Sequence, residues 1–410
     1  MAGAVPTPGG EACWDTVSHA AGFASQSTGA AAEGDDVSRK VTVVTDAHNA
    51  DGNRRLLGLT PLRRLQVELE KAGLGPAEIL EVGGAGESLE SVAARLQGPA
   101  VVVDGAAVFR KGLLGDLLAE GGDGRITYRA NGRAVLIRVA PGSPGEPGRD
   151  VSLDGKAIAI AGPADVKPAR WVLLNGLRKP MLIDGVVGYY FMRPITLRIT
   201  ALLAETPVTP NMVTGLCFLL GLAGAGLVAA AASQWVMALG VLLYFVGATL
   251  DCVDGEMARV KYLASRWGAW FDTLSDDIST AALLAALGLY VSRTTGDAWP
   301  LVLGLSASGG FLLGELYVYY YLLTWFKSGD VLDFVWAFQE GKPKGAPTAA
   351  AYFLLLAKRD FFSAFLAVCA FAGWIRFGAA VVSASCVCYT LVVLYDVAVV
   401  VRRGGRRRAT

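Results

Sequence analysis

Asp251 and Asp254 stand three residues apart, and Asp272 and Asp276 stand four apart a short distance downstream. On a helix the first pair shares one face, and on the next helix so does the second. Both pairs fall in strongly apolar sequence, where a short acidic side chain cannot reach water as Lys or Arg can. A hard divalent cation is the usual remedy, because it turns mutual carboxylate repulsion into coordination. The residues between the pairs extend that chemistry. Gly255, Ala258 and Gly268 lack bulk where a ligand must approach a helix backbone, and Arg259 can grip a phosphate through two parallel hydrogen bonds. Alone, Arg259 would also serve as a charge marking the cytoplasmic side of a membrane. Asp277 points about 100° away from Asp276 on a helix and reads as a solvated or supporting group.

The full run, D-x2-D-G-x2-A-R-x8-G-x3-D-x3-D, resembles the signature of the CDP-alcohol phosphotransferases, with every fixed position present from Asp251 to Asp276. The resemblance covers roughly the last half of the chain. It implies a metal-dependent transfer in which an acceptor hydroxyl attacks the phosphorus bearing the donor alcohol and CMP leaves. It implies that Asp251, Asp254, Asp272 and Asp276 hold Mg2+ or Mn2+, as two ions, and that Asp276 is also the general base. Gly255, Ala258, Arg259 and Gly268 would line the nucleotide. The stretch 206–214, T-P-V-T-P-N-M-V-T, resembles the family's entry into its first membrane helix, which brings Asn211 and Thr214 towards the nucleotide; as plain helix caps they would look the same. Family members pair through their membrane domains, so a homodimer is expected.

These residues need a membrane bundle to position them. The chain has 410 residues, 53% of them hydrophobic and 18% charged, with mean hydropathy +0.44. That balance fits a soluble domain joined to a bundle rather than an ordinary soluble enzyme. Six apolar segments are expected at 211–233, 235–257, 269–292, 298–325, 360–377 and 378–401, each long enough for about 30 Å of hydrocarbon. Lys and Arg gather on one side: Arg193, Arg198, Arg259, Lys261, Arg266, Lys327, Lys342, Lys344, Lys358, Arg359 and the tail from Arg402. The other side has Arg293 and Arg376. The positive-inside rule then places both termini and the aspartates on the cytoplasmic face of a cell membrane. Residues 206–410 are expected to form this all-α domain. Ahead of it, 164–205 alternates aromatic and aliphatic residues with Lys and Arg, as an amphipathic helix lying in the interface does, and Pro194 should break or start a turn there.

Residues 41–163 alternate short apolar strands with amphipathic helices: strands at 41–45, 78–82, 100–104, 125–129 and 134–139, helices at 61–72, 88–96 and 111–119. This reads as an α/β domain with a mostly parallel sheet. The segments at 56–74 and 98–109 resemble sugar-phosphate nucleotidyltransferases. Where that family carries a Gly-rich triphosphate loop, this chain reads D-A-H-N-A-D-G-N-R-R-L-L, with a single glycine. A backbone cradle is hard to build without its glycines. Asp104 ends the third strand, where a metal-binding Asp would sit, although a strand-end Asp is commonly a turn residue. The domain is therefore expected to be a degenerate relative serving as scaffold, regulator or dimer partner. Residues 1–40, rich in Gly, Ala and Ser, read as a disordered tail, with none of the basic start and apolar core of a secretory signal.

The fusion resembles bifunctional enzymes that make CDP-inositol and then di-myo-inositol phosphate phosphate, with CDP-diacylglycerol chemistry as a sibling possibility. The acceptor pocket is less defined. Lys261, Arg266, Lys358 and Arg359, with Arg193 and Arg198, suit a phosphorylated acceptor, or equally anionic lipid. Glu315 is an intramembrane acid with either a functional role or a tyrosine partner. A net charge of +1 gives no reason for nucleic-acid binding, and Cys386 and Cys388 with only His19 and His48 make no zinc pattern. Two other classes compete with the enzyme: a cation transporter with an aspartate site, which predicts repeats or broken helices at mid-membrane, and a membrane-anchored binding protein.

Overall fold

The computed structural model describes residues 40–46, 51–52, 54–72, 78–82, 88–96, 99–120, 124–140, 148–326 and 358–402. Residues 1–39 of the tail expected over 1–40, with Cys13 and His19, lie outside them, as do His48, Lys327, Lys342, Lys344 and the arginines beyond Arg402; Lys40 instead begins the first strand.

The N-terminal part is an α/β sandwich. Strands β1 (Lys40–Asp46), β2 (Glu78–Val82), β3 (Ala100–Asp104), β5 (Arg125–Ala130), β6 (Arg133–Val139) and β7 (Arg149–Ser152) form one sheet in the order β2-β1-β3-β6-β5-β7. The pairs β1–β2, β1–β3 and β5–β7 are parallel, whereas β3–β6 and β5–β6 are antiparallel. Three of the five pairings are therefore parallel, as expected, and β6 adds the two antiparallel ones, joined to β5 by a hairpin that turns at Asn131-Gly132, both with positive φ. Alternation along β3 explains the layers. Val101 and Val103 face Leu65 and Leu69 of α1 (Pro61–Lys71) and Leu114, Leu117 and Leu118 of α3 (Leu113–Ala119). Val102 faces the other way, onto Leu89, Val92 and Ala93 of α2 (Leu89–Arg95). Asp104 accepts the Ala106 amide at 2.9 Å, so its carboxylate holds the turn into β4 (Ala107–Phe109). A two-stranded ribbon pairs β4 with β8 (Ala157–Ala159).

After α4 (Pro163–Asn175), the short α5 (Met181–Asp184) and a π-turn at Gly188–Met192 lead into α6 (Arg193–Leu203), with Pro194, which has no amide to donate, directly after the π-turn. Then come α7 (Pro210–Ala230), α8 (Gln234–Val260), α9 (Arg266–Thr295), α10 (Trp299–Tyr321), continued by a π-turn over Leu322–Phe326, α11 (Arg359–Phe371) and α12 (Ile375–Arg402). Among the described residues, five helices are long and apolar enough to cross a membrane: α7, α8, α9, α10 with its continuation, and α12. The segment expected at 360–377 is instead a 13-residue helix, about 20 Å long, because the chain turns at Gly373, whose φ is +78°.

Side-chain and backbone packing hold the bundle. A Cβ on Gly224 of α7 would lie 2.6 Å from the Gly240 carbonyl of α8, so these two backbones touch through paired glycines. Gly288 and Gly304 do the same for α9 and α10. Leu219, Leu239, Leu313 and Leu391 point outward, as lipid-facing groups do. Trp235, Trp299 and Trp374 are exposed where α8, α10 and α12 begin, and by chain alternation those ends lie together, away from the aspartates.

The two parts meet at the five-residue connection Lys261–Ser265 between α8 and α9. Arg64 of α1 donates to the carbonyls of Val260 (2.5 Å), Leu56 (2.6 Å) and Leu57 (3.0 Å). Its guanidinium lies 5.9 Å from the centre of the Tyr262 ring, and Lys71 Nζ lies 4.6 Å from it. Tyr262 has φ +57°, a left-handed backbone that a bulky side chain adopts only under outside constraint. Leu56, Leu57, Val108 and Ile160 of the N-terminal part join Ala204 and Val260 in one buried cluster.

Candidate metal and nucleotide centre

The carboxylates converge because α8 and α9 run antiparallel through a tight connection that puts the end of one beside the start of the other. Ser265 caps α9, its hydroxyl accepting the Gly268 amide at 3.0 Å, so the helix begins before Asp272 and both α9 aspartates are on regular turns. One oxygen each from Asp251, Asp254 and Asp272 lie within 4.8 Å of one another, a spacing that a single cation spans. Asp254 is 5% exposed and accepts the Thr214 hydroxyl from α7. Asp272 Oδ1 is buried with no hydrogen-bond partner. A buried carboxylate oxygen without a donor is costly unless a ligand completes it, and the all-oxygen donor set suits Mg2+ or Mn2+. The residues therefore fit a divalent ion.

Asp276 stands outside that triad. Its Oδ1 pairs with Arg359, the first residue of α11, whose other nitrogen reaches Asp251 Oδ2 at 2.5 Å. The expected group of four is thus three clustered oxygens and a fourth carboxylate held by a guanidinium. Arg359, expected beside an acceptor phosphate, faces the aspartates. Its partner Asp251 is 108 residues away in sequence, a separation that spacing rules cannot bridge.

The small residues and Arg259 lie at the facing ends of α8 and α9. A Cβ on Gly255 would lie 3.2 Å from Arg259 Nη1, and one on Gly268 would lie 3.1 Å from Asn211 Oδ1. Arg259 Nε and Nη2 are buried without a hydrogen-bond partner, which is the state of a donor fork built for an absent acceptor. Ala258 is half-buried on the same helix. Thr214 is not a helix cap, since Thr209 precedes Pro210 at the start of α7; its role is to orient Asp254.

The other basic candidates divide. Lys261 Nζ donates to the Thr206 and Val208 carbonyls at 2.8 and 2.9 Å and so ties the α8–α9 connection to the approach to α7. Lys358 Nζ donates to the Ile183 carbonyl at 2.6 Å. Arg198 and Arg266 are exposed. Arg193 is buried and committed to a charged knot that sequence reading missed. It donates to both oxygens of Asp184 at 2.7 Å and to Glu256 Oε1 at 2.5 Å. Thr196 and Thr200 donate to Glu256 at 2.9 and 2.6 Å. Burial works against the charge on Arg193, but the hydrogen bonds to Asp184 and the facing carboxylates hold its pKa above the ordinary guanidinium value. The spacing Arg193, Thr196, Thr200 on one helical face was the available signal. Glu315 meets Tyr389, whose hydroxyl donates at 2.8 Å, and Asp277 accepts from Tyr319. Both intramembrane acids thus have tyrosine partners.

Residues 207–382 match the family model described as CDP-alcohol phosphatidyltransferase. Curated relatives named bifunctional IPC transferase and DIPP synthase are similar to part of the chain. The Aquifex aeolicus protein is 32% identical over 140 residues, 34% of this chain and 31% of its own length. The Thermococcus kodakarensis protein is 34% identical over 125 residues, covering 30% of this chain and 27% of the relative. The Rubrobacter xylanophilus protein is 34% identical over 144 residues, covering 35% and 30%. The matched stretch therefore spans less than a third of each of these relatives.

Proposed function

Because residues 207–382 are a CDP-alcohol phosphatidyltransferase domain, we propose that this multi-pass membrane protein transfers a substituted phosphoryl group from a CDP-alcohol to a hydroxyl acceptor and releases CMP. The observation that carries this reading is the convergence of Asp251, Asp254 and Asp272 with an unpaired Asp272 oxygen among them, and the same helix α8 carries the unpaired Arg259 fork. Bound divalent ions would neutralise charge developing on the transferring phosphoryl group and its leaving oxygen. Asp251, Asp254 and Asp272 would hold the metal, with Asp276 completing it and accepting the acceptor's hydroxyl proton. Arg259 would bind the pyrophosphate, while Gly255, Ala258 and Gly268 let the nucleotide lie against helix backbone, with Asn211 at its edge. Thr214 keeps Asp254 in the orientation that metal binding needs.

The aspartates stand at the end of the bundle where the N-terminal domain docks, the end that the Lys and Arg bias assigns to the cytoplasm. The exposed Phe191, Ile195 and Leu202 beside α6 support an interfacial position for that helix. Asp-bearing helices that run unbroken for 27 and 30 residues speak against a transporter with discontinuous helices. The relatives' name favours a CDP-inositol donor with an inositol phosphate acceptor over CDP-diacylglycerol chemistry, and the family resemblance adds a homodimer as the proposed assembly.

The test is CMP release by purified protein given CDP-inositol or CDP-diacylglycerol with candidate acceptors and Mg2+ or Mn2+. Turnover should require metal and disappear in Asp272→Asn and Asp276→Asn. Undiminished CMP formation in both variants would remove the mechanism.

A further inference from the structure

Arg359 is fixed in place from behind. Lys358 Nζ holds the Ile183 carbonyl at 2.6 Å, and Asp360 accepts the Gly188 amide at 2.8 Å. Asp360 also fills the space beside Gly185, where a Cβ would meet its oxygen at 2.4 Å. With residues 358 and 360 both tied to the segment before α6, the guanidinium between them is aimed at the aspartates and joins Asp251 on α8 to Asp276 on α9. One cation bridging two carboxylates on two helices performs the charge-cancelling task of a metal ion. Within the triad of Asp251, Asp254 and Asp272 the guanidinium pairs with Asp251 Oδ2 alone, and Asp272 Oδ1 is left without any partner for an ion to complete.

We propose that Arg359 occupies the second-cation position of this centre, so that the nucleotide-free protein binds one divalent ion, on Asp251, Asp254 and Asp272. A second ion at Asp276 must displace the guanidinium. Binding of that ion and retention of the Arg359–Asp276 pair oppose each other, and by linkage each weakens the other equally. The inference rests on the reading of the aspartates as a metal centre and deepens it.

Equilibrium binding of Mn2+ to the purified full-length protein, read from the electron paramagnetic resonance signal of free Mn2+ without nucleotide, tests it. Wild type should bind one Mn2+ per chain and Arg359→Gln two, while Asp276→Asn keeps the first site and Asp272→Asn loses it. If Arg359→Gln does not fold, Arg359→Lys serves: an ammonium reaches a single carboxylate, so a second ion should bind at least about tenfold tighter than in wild type. Two ions on the wild type, or no gain in the folded Arg359 variant, would overturn the inference. No Mn2+ binding by wild type would instead remove the metal centre itself.

Discussion

Two groups of buried charge share helix α8 and are treated in opposite ways. Around Glu256, which is 0% exposed, each carboxylate oxygen has at least one donor, from Arg193, Thr196 or Thr200, and Arg193 is itself matched to Asp184. Around Asp254, two residues earlier, Asp272 Oδ1 lacks a partner, and a single guanidinium, that of Arg359, pairs with Asp251 and Asp276. The first group is closed on itself and joins α6 to the bundle. The second is left open, and only a ligand can close it. Hydrogen-bond saturation separates a structural charge from a working one where burial alone does not, since Glu256 is more buried than Asp254.

The contrast breaks if substitutions in the two groups behave alike. The largest effect is expected from Asp272→Asn, which should lower turnover by at least ~10²-fold while leaving unfolding in detergent near that of metal-free wild type, as CMP release and thermal melts would show. Glu256→Ala should do the reverse. It leaves Arg193 Nη1 and the Thr196 and Thr200 hydroxyls buried without their acceptor while the Arg193–Asp184 pair stays, and a buried donor left unsatisfied costs about 1–3 kcal/mol, seen as a drop in melting temperature before any effect on chemistry in the surviving folded fraction. Metal removal sharpens the comparison: a chelator should lower the melting temperature of wild type and of Glu256→Gln, but not of Asp272→Asn. A smaller change should follow Thr214→Val, which removes a hydrogen bond to a charged group worth about 1.5–3 kcal/mol and should weaken Mn2+ binding in titrations. The smallest is expected from Arg64→Ala, which loosens the α8–α9 connection and should reduce turnover roughly fivefold with metal stoichiometry unchanged.

What local sequence could show, it showed well. The strands at 78–82 and 100–104 lie where alternation and turn residues place them, and the first four membrane segments fall within a few residues of their helices. The strands β4 and β8 escaped because three residues carry no period. The fifth apolar run was read as one span because a glycine in a hydrophobic stretch gives no sign of turning left-handed; the turn at Gly373 shows only in the backbone. At the site, residue types and spacing pointed to the aspartates, the small residues and Arg259. They did not reveal Arg359 against Asp276 or Arg193 against Glu256, since both pairs join helices far apart in the chain. Such contacts are set by tertiary packing, and no local pattern encodes them.

Surface connections between helices ordinarily tolerate changes in length. The one from Lys261 to Ser265 has no such freedom: Lys261 is anchored to the Thr206 and Val208 carbonyls, Tyr262 is held left-handed under Lys71 and Arg64, and Ser265 starts the helix that carries Asp272. A residue gained or lost here would slide or turn one rod against its neighbour and pull the acidic oxygens out of mutual reach. Through Arg64 and Lys71 the N-terminal α/β domain thus braces the link that spaces the two acidic helices, whatever chemistry it carries itself.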